Sequence, residues 1–149
     1  MTEHRIVSLI ASATEIVAAL GCEDQLVGVS HECDFPPSVK RLRVCSAPRI
    51  DVDGTSRQID ERVKAALQDA VSIYSVDVDT LRHLQPTVII TQTQCEVCAV
   101  SLKDVEQAVC ELVDSRPKIV SLEPNALCDV WTDIRLVGEA LQAEDRAEA

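Results

Sequence analysis

The chain has 149 residues, of which 46% are hydrophobic, 26% are charged and 2% are aromatic. This length suits one domain that buries roughly 68–70% of the surface its unfolded chain would expose. The formal net charge of −11 and the scarcity of aromatic rings argue against a nucleic-acid partner, because such a surface needs a basic groove and rings on which bases stack.

Neither a secretory signal nor a membrane-spanning segment is visible. The first apolar run, residues 6–10, is too short for the core of a signal peptide, and no run approaches the ~20 apolar residues of a spanning helix. The cysteines number seven, so they cannot all pair within one chain, and reduced thiols are expected. We therefore expect a cytoplasmic location, and a periplasmic one only if an export signal is missing from this chain.

The first half of the chain alternates strand and helix patterns. Residues 5–10 predict a first strand, and residues 12–15 fit a capping box at the start of a helix. Gly21 suits the end of that helix. Residues 26–30 predict a second strand, and residues 43–45 indicate a short edge strand.

The middle of the chain is mostly helical. A capping box at residues 55–58 opens a helix whose apolar residues keep helical spacing. Residues 72–76 are predicted to be extended. Asp77 can cap a short helix that Pro86 ends.

Two further strand and helix pairs follow. Residues 87–92 contain the most apolar strand, and Ser101 opens the next helix. Residues 118–122 predict another strand. A last helix over residues 127–141 carries an apolar stripe, and Trp131 on that stripe is expected in the core.

This alternation predicts an α/β fold with three layers and a parallel sheet of about four strands. Strands such as residues 88–90, apolar without interruption, indicate burial on both faces. The carboxyl ends of parallel strands meet at one edge, where open sheets bind ligands. That edge would collect the loops at residues 11–14, 31–34, 93–98 and 123–125.

Several segments together resemble the cobalamin and iron-chelate substrate-binding proteins of ABC importers. They are RIVSLIASATEI at residues 5–16, LVGVS at 26–30, DFPP at 34–37 and LQPTVIIT at 84–91. A branch often called cobalamin-binding protein, which lacks an export signal, is similar at HECDFPP (31–37), TQCEVCAVS (93–101), LEP (122–124) and DVWTDIRLVGEAL (129–141).

The resemblance implies a protein of two α/β lobes that are joined by one long helix and clamp a ligand between them. Residues 1–126 would form the first lobe, a doubly wound sheet with strand order 2-1-3-4. Residues 127–149 would be the truncated start of the helix between the lobes. The implied function is non-catalytic binding of cobalamin or a related metal chelate, with an ABC permease or a second lobe as partner.

Cys95 and Cys98 follow the most apolar strand and have several interpretations. With Cys33 and His31 they would supply three sulfurs and one nitrogen, a donor set that suits zinc or an iron–sulfur cluster. Redox chemistry would need a thiol at a helix start, but two residues separate Cys98 from Ser101. Packing in the loop and contact with a ligand are the remaining alternatives.

His31 is the second candidate. Imidazole can be the axial ligand of a corrinoid cobalt or an iron chelate, and Glu32 could orient the ring. The alternative is a polar loop residue bonded to Asp34 or to a backbone carbonyl. Ser12 and Thr14 could donate hydrogen bonds to ligand oxygens at a helix start, or simply cap it.

Arg49 would face the cleft or pair with Asp51. No GxGxxG, Walker or GxSxG motif is present, so we expect no enzyme of those classes. The alternative function is a thiol-based metal-binding or redox sensor that uses Cys95 and Cys98 with Cys33 and His31. The predicted ligand-binding residues are Ser12, Thr14, His31, Glu32, Cys33, Arg49, Gln94, Cys95, Cys98 and Glu123.

Overall fold

A computed structural model describes residues 3–68, 73–93, 100–112 and 116–149, without the side chains of residues 67 and 68. The strands are β1 (Ile6–Ser8), β2 (Leu26–Val29), β3 (Arg43–Val44), β4 (Ser46–Pro48), β5 (Tyr74–Val76), β6 (Val88–Gln92) and β7 (Lys118–Leu122). The helices are α1 (Ala11–Ala19), α2 (Ser56–Gln68), α3 (Val78–Leu84), α4 (Leu102–Cys110), α5 (Leu127–Ala140) and α6 (Glu144–Ala147).

Five strands form a parallel sheet in the order β3-β2-β1-β6-β7. The predicted α/β class and the predicted order of four strands are confirmed, and β3 adds a fifth strand at the edge. In the register of the sheet, Ser8 lies between Val29 and Ile90. Strands β4 and β5 pair antiparallel in a separate small sheet, a pairing that the alternation of strands and helices did not predict.

Helices cover both faces of the sheet, which makes three layers. On one face Ile6 and Ile90 pack with residues of α1 and α5. On the other face Val7 and Ile89 pack with residues of α3 and α4. Successive side chains of a strand point to opposite faces, so each apolar strand contributes to both cores. Each buried Val, Leu or Ile stabilises the fold by roughly 1.5–3 kcal/mol.

Three predicted helix starts are confirmed by their hydrogen bonds. The amide of Gln58 donates to the Thr55 hydroxyl, while the Gln58 side chain accepts from the Thr55 amide. The side chain of Asp77 accepts from the Thr80 amide, and that of Ser101 accepts from the Asp104 amide. These local hydrogen bonds use residues close in sequence, which is why pattern alone finds them.

The predicted capping role of Ser12 is wrong. Helix α1 begins at Ala11 with Ile10 as its N-cap, and no side chain caps it. The extended backbone of Ile10, with φ −148°, passes directly from the strand exit into the helix. Ser12 therefore lies inside the first turn and is exposed.

Helix α5 begins at Leu127, and its N-cap residue, Ala126, has no side-chain acceptor. The Asp129 carboxylate instead accepts hydrogen bonds from the amides of Ala126 and Asn125, and these bonds lower its pKa. After α5 the chain turns at Gln142, where φ is 56°, into the short helix α6. The proposed division into a lobe and an inter-lobe helix at residue 126 stays a prediction.

The first half of α5 is more open than its apolar stripe predicted. Trp131 is 58% exposed and Leu127 is 77% exposed, so the expected core position of Trp131 is wrong. The buried face of α5 instead carries Asp133, Val137 and Ala140. The Asp133 carboxylate accepts a hydrogen bond from the Glu123 amide, but burial raises its pKa.

Gly28 lies in β2 where the sheet leaves no room for a side chain. A Cβ atom there would stand 2.5 Å from Cys45 Sγ and 2.8 Å from Leu84 Cδ1. We expect Gly28→Ala to lower the free energy of unfolding by about 1–3 kcal/mol, the usual cost of overpacking. Denaturant titration measures it. Adding Cys45→Ala should recover part of the loss, and an unchanged midpoint for Gly28→Ala would contradict the close packing.

Asp133 should make stability depend on pH. Its raised pKa means that the folded state holds this proton more tightly than the unfolded state, so ionisation at neutral pH opposes folding. Asp133→Asn keeps an acceptor for the Glu123 amide and should raise Tm at pH 7. The gain should disappear below the ordinary Asp pKa of about 3.9. Asp53→Asn, at an exposed loop position, is the control. A gain independent of pH would refute the assignment.

Candidate functional site

A cavity of about 270 Å³ opens beyond the carboxyl ends of β1 and β2, beside the β4–β5 pair. This is the edge of the sheet at which α/β proteins bind ligands. Its wall combines apolar and polar groups. The lining residues are Leu9, Ile10, Ala11, Ser30, His31, Glu32, Ser46, Tyr74 and Val100.

His31 is held in this wall by two elements. Its Nδ1 lies 2.9 Å from the hydroxyl oxygen of Ser46, and its backbone N–H donates to the same oxygen at 3.3 Å. The ring packs against Tyr74 with centroids 5.1 Å apart and planes at 45°. The expected partners Asp34 and a backbone carbonyl are thus replaced by Ser46 of β4.

The other ring nitrogen of His31 is buried and lies next to Glu32. Nε2 lies 3.2 Å from a carboxylate oxygen of Glu32, within ion-pair distance. Nε2 is nevertheless a buried nitrogen without a hydrogen-bond partner among the described residues. In the tautomer whose Nδ1 donates to Ser46, Nε2 carries the lone pair that a metal requires.

Thr14 and Cys33 lie beneath the cavity wall and not on it. Thr14 is fully buried and Cys33 is 8% exposed. The Thr14 hydroxyl contacts Ser8 Oγ at 2.8 Å and Cys33 Sγ at 3.1 Å, and Ser30 Oγ lies 3.3 Å from the same sulfur. Protein groups thus occupy the polar atoms of Thr14 and Cys33, and the expectation that these residues contact ligand stays a prediction.

Ser12 lies on a different surface from His31. It lines a wider, mostly apolar groove of about 870 Å³ between α1, α5 and the chain end, together with Phe35 and Trp131. Helical geometry explains the separation, since neighbouring residues in the first turn of α1 point in different directions. The structure does not bring Ser12 to the His31 cavity.

Arg49 and Glu123 do not line the cavity either. The Arg49 guanidinium lies 4.0 Å from Asp104, and Asp51 pairs instead with Arg62 at 3.4 Å. The expected Arg49–Asp51 pair is therefore wrong. Glu123 is an exposed residue after β7, and its amide is held by Asp133.

The remaining predicted residues, Gln94, Cys95 and Cys98, lie outside the described residues. Within residues 3–68, 73–93, 100–112 and 116–149, no group of three or more His, Cys, Asp and Glu side chains could hold a metal ion. Cys33 fits a metal site poorly, because its sulfur is buried between two hydroxyls. The zinc or iron–sulfur prediction therefore depends on residues that the structure does not describe.

Ser46 and Tyr74 line the cavity, and the sequence patterns did not predict them. They come from β4 and β5, which lie far apart in the chain and meet only in the antiparallel pair. The one available signal was that Tyr74 is the single tyrosine of the chain. Cys45, next to Ser46, is fully buried, and burial near Asp77 raises its pKa to about 12, so its thiol stays protonated and unreactive.

Solved structures share this fold. The chain superposes on the periplasmic heme-binding protein RhuT from Roseiflexus sp. RS-1 with a TM-score of 0.66 and 24% identity, over 99% of this chain and 44% of that one. The periplasmic vitamin B12-binding protein BtuF of Vibrio cholerae gives 0.62 and 19%, over 97% and 46%. This partial coverage agrees with the first lobe of a two-lobe protein.

A curated relative is similar in sequence. It is the uncharacterized ABC transporter substrate-binding lipoprotein YvrC of Bacillus subtilis strain 168, 24% identical over 145 residues, or 97% of this chain and 36% of that protein. The chain therefore spans less than half the length of the relatives it matches.

The relatives correct the expected location. A cytoplasmic protein was predicted, whereas the relatives are described as a lipoprotein and as periplasmic binding proteins. These point to an extracytoplasmic location. The composition and periodicity of an α/β lobe do not depend on its cellular compartment, so they could not indicate the location of this protein. No helix in the described ranges is long and apolar enough to cross a membrane.

The match to a family covers almost the whole chain. Residues 6–149 match the family described as periplasmic binding protein. The matched range contains all the strands of the sheet and the cavity beyond β1 and β2. The resemblance noted in the sequence is therefore confirmed at the level of the family, and the chain belongs to the periplasmic binding protein family.

Proposed function

We propose that this chain is the ligand-binding first lobe of an ABC-importer substrate-binding protein, and that it binds a metal chelate, cobalamin foremost, at the His31 cavity. The observation that carries the proposal is that His31 lines the cavity beyond β1 and β2, while its buried Nε2 has no hydrogen-bond partner among the described residues. The family match and the descriptions of the relatives support the class of ligand.

The cavity has the chemistry that a metal macrocycle needs. An imidazole lone pair can coordinate cobalt or iron that has an exchangeable axial position. The contact between Nδ1 and Ser46 orients the ring, as outer partners of metal-binding histidines commonly do. Leu9, Ile10 and Val100 provide apolar wall for the face of the ring system.

The same cavity is too small to enclose such a ligand. Pockets for small molecules usually measure about 300–1,000 Å³ and cover most of the ligand, whereas this one measures about 270 Å³. The lobe would therefore supply one wall, and a second lobe would supply the other. We expect the 149-residue chain alone to bind its ligand weakly.

The contacts around His31 favour binding over catalysis. Ser46, His31 and Glu32 together have the composition of a hydrolytic triad. Ser46, however, is 4% exposed, and its hydroxyl oxygen accepts the His31 backbone N–H. A nucleophile must reach a substrate carbonyl, so Ser46 is better suited to holding the ring. The thiol-sensor alternative stays a prediction, because Cys95 and Cys98 lie outside the described residues.

Replacing His31 should weaken chelate binding. We expect aquacobalamin added to the purified chain to change its visible absorption as imidazole replaces the axial water. His31→Gln should weaken binding about 10-fold, equivalent to about 1.4 kcal/mol. His83→Gln, at an exposed position on α3, is the matched control and should bind as the unaltered chain does. Equal affinity of the two variants would remove His31 from the site, and no binding of either aquacobalamin or hemin would overturn the proposed function.

The axial position of the ligand provides a second test. Cyanocobalamin holds its cyanide tightly, so it offers no exchangeable site to His31. We expect the chain to bind aquacobalamin at least about 10-fold more tightly than cyanocobalamin, as measured by calorimetry, with the preference lost in His31→Gln. Equal affinities would show that the corrinoid is held by its edges and that His31 does not coordinate cobalt.

A further inference from the structure

We propose that Cys33 is a positioning residue whose thiol holds the turn at residues 30–33, so that His31 faces the cavity. The inference rests on the proposed function only for the role of His31. It assigns the buried sulfur neither to a metal nor to redox chemistry, but to a chain of hydrogen bonds beneath the site.

The direction of that chain follows from counting protons, since each hydroxyl and each thiol has one to donate. Ser8 Oγ lies 3.0 Å from the carbonyl oxygen of Ile10. A carbonyl can only accept, so the Ser8 proton is used there. The Thr14 proton then goes to Ser8 Oγ at 2.8 Å, with the Ile10 carbonyl at 3.4 Å as its other acceptor, and in both cases it is not directed at Cys33. The contact between Thr14 and Cys33 at 3.1 Å is left to the thiol proton.

The donors at the other end of this hydrogen-bond chain follow in the same way. Because the thiol proton goes to Thr14, the contact between Ser30 and Cys33 at 3.3 Å must use the Ser30 hydroxyl proton. The Ser30 oxygen in turn accepts the backbone N–H of Glu32 at 3.2 Å. The Cys33 amide also donates to the Ser30 carbonyl at 3.2 Å. The turn that presents His31 is thus bonded at both ends.

The chain of hydrogen bonds joins three structural elements that meet at the edge of the sheet. It runs from the turn after β2, through the first turns of α1, to the exit of β1. Its side chains are buried, with Ser8 and Thr14 at 0% and Ser30 at 3% exposure. Removing the central thiol would leave a buried acceptor on Thr14 and a buried donor on Ser30 without partners. Such groups are costly to leave unsatisfied, so we expect the turn to shift.

Replacing Cys33 by serine or by alanine distinguishes a role of its thiol in positioning His31 from a role in packing. Cys33→Ser keeps one donor and one acceptor, whereas Cys33→Ala removes both. The imidazole NMR signal of His31, assigned by its loss in His31→Gln, reports the ring without any ligand. We expect Cys33→Ala to move that signal and to weaken aquacobalamin binding at least 5-fold, while Cys33→Ser keeps the affinity within about 2-fold of the unaltered chain.

Cys22→Ala is the matched control, because Cys22 is also a buried cysteine but lies beyond the far end of α1, next to Arg146. It should lower Tm without moving the His31 signal. Equal movement of that signal by Cys22→Ala and Cys33→Ala would reduce Cys33 to a packing role and overturn the proposal. So would an unchanged signal and affinity in Cys33→Ala.

Thr14 provides an independent route if Cys33→Ala does not fold. Thr14→Val removes the acceptor of the thiol proton and should move the His31 signal, while Thr14→Ser should not. In a double-mutant cycle, the effects of Thr14→Val and Cys33→Ala on aquacobalamin affinity should be strongly non-additive, since both substitutions break the same chain of hydrogen bonds. Additive effects would contradict a continuous chain. If the unaltered chain binds no chelate, the proposed function fails, and the ligand-free signal still decides the role of Cys33.

Discussion

The parallel pairing of β1 with β2 on one side and β6 on the other is the constraint on which the rest depends. It buries the central strand on both faces, so each apolar residue of β1 contributes to one of two cores. It also brings the carboxyl ends of all three strands to one edge. The loop after β2 therefore lies beside the first turn of α1, and His31 acquires neighbours that are distant in sequence.

Burial at that edge has a consequence for its polar groups. Ser8, Thr14 and Ser30 are excluded from water, and each must find its hydrogen-bond partner within the protein. They find one another and Cys33, whose sulfur lies between the hydroxyls of Thr14 and Ser30. Among the described residues, the polar or ionisable side chains that line the cavity include those of His31, Glu32, Ser46 and Tyr74. The contacts of the His31 ring with Ser46 and Tyr74, above this buried layer, hold the imidazole in one orientation.

Local patterns predicted what depends on neighbours in sequence. The caps at Thr55, Asp77 and Ser101 were correct, because each bonds to an amide three residues away. Four strands and their order were correct as well, the order through the family resemblance. The cap at Ser12 failed because the extended exit of β1 places the N-cap at Ile10, two residues earlier. Trp131 was misplaced because periodicity identifies an apolar face without showing what covers it.

By itself, the sequence determined the α/β class, the strands of the parallel sheet and the edge at which a ligand site would form. Periodicity and helix caps indicate these features because both depend on residues that are close in sequence. Tertiary structure alone decided which candidates reach that site. It brought Ser46 and Tyr74 of the β4–β5 pair into contact with His31. Thr14 and Cys33 lie beneath the cavity wall, and Ser12 lines another groove. These outcomes depend on the pairing of distant segments and on which side chains are left beneath them, and no local pattern encodes either.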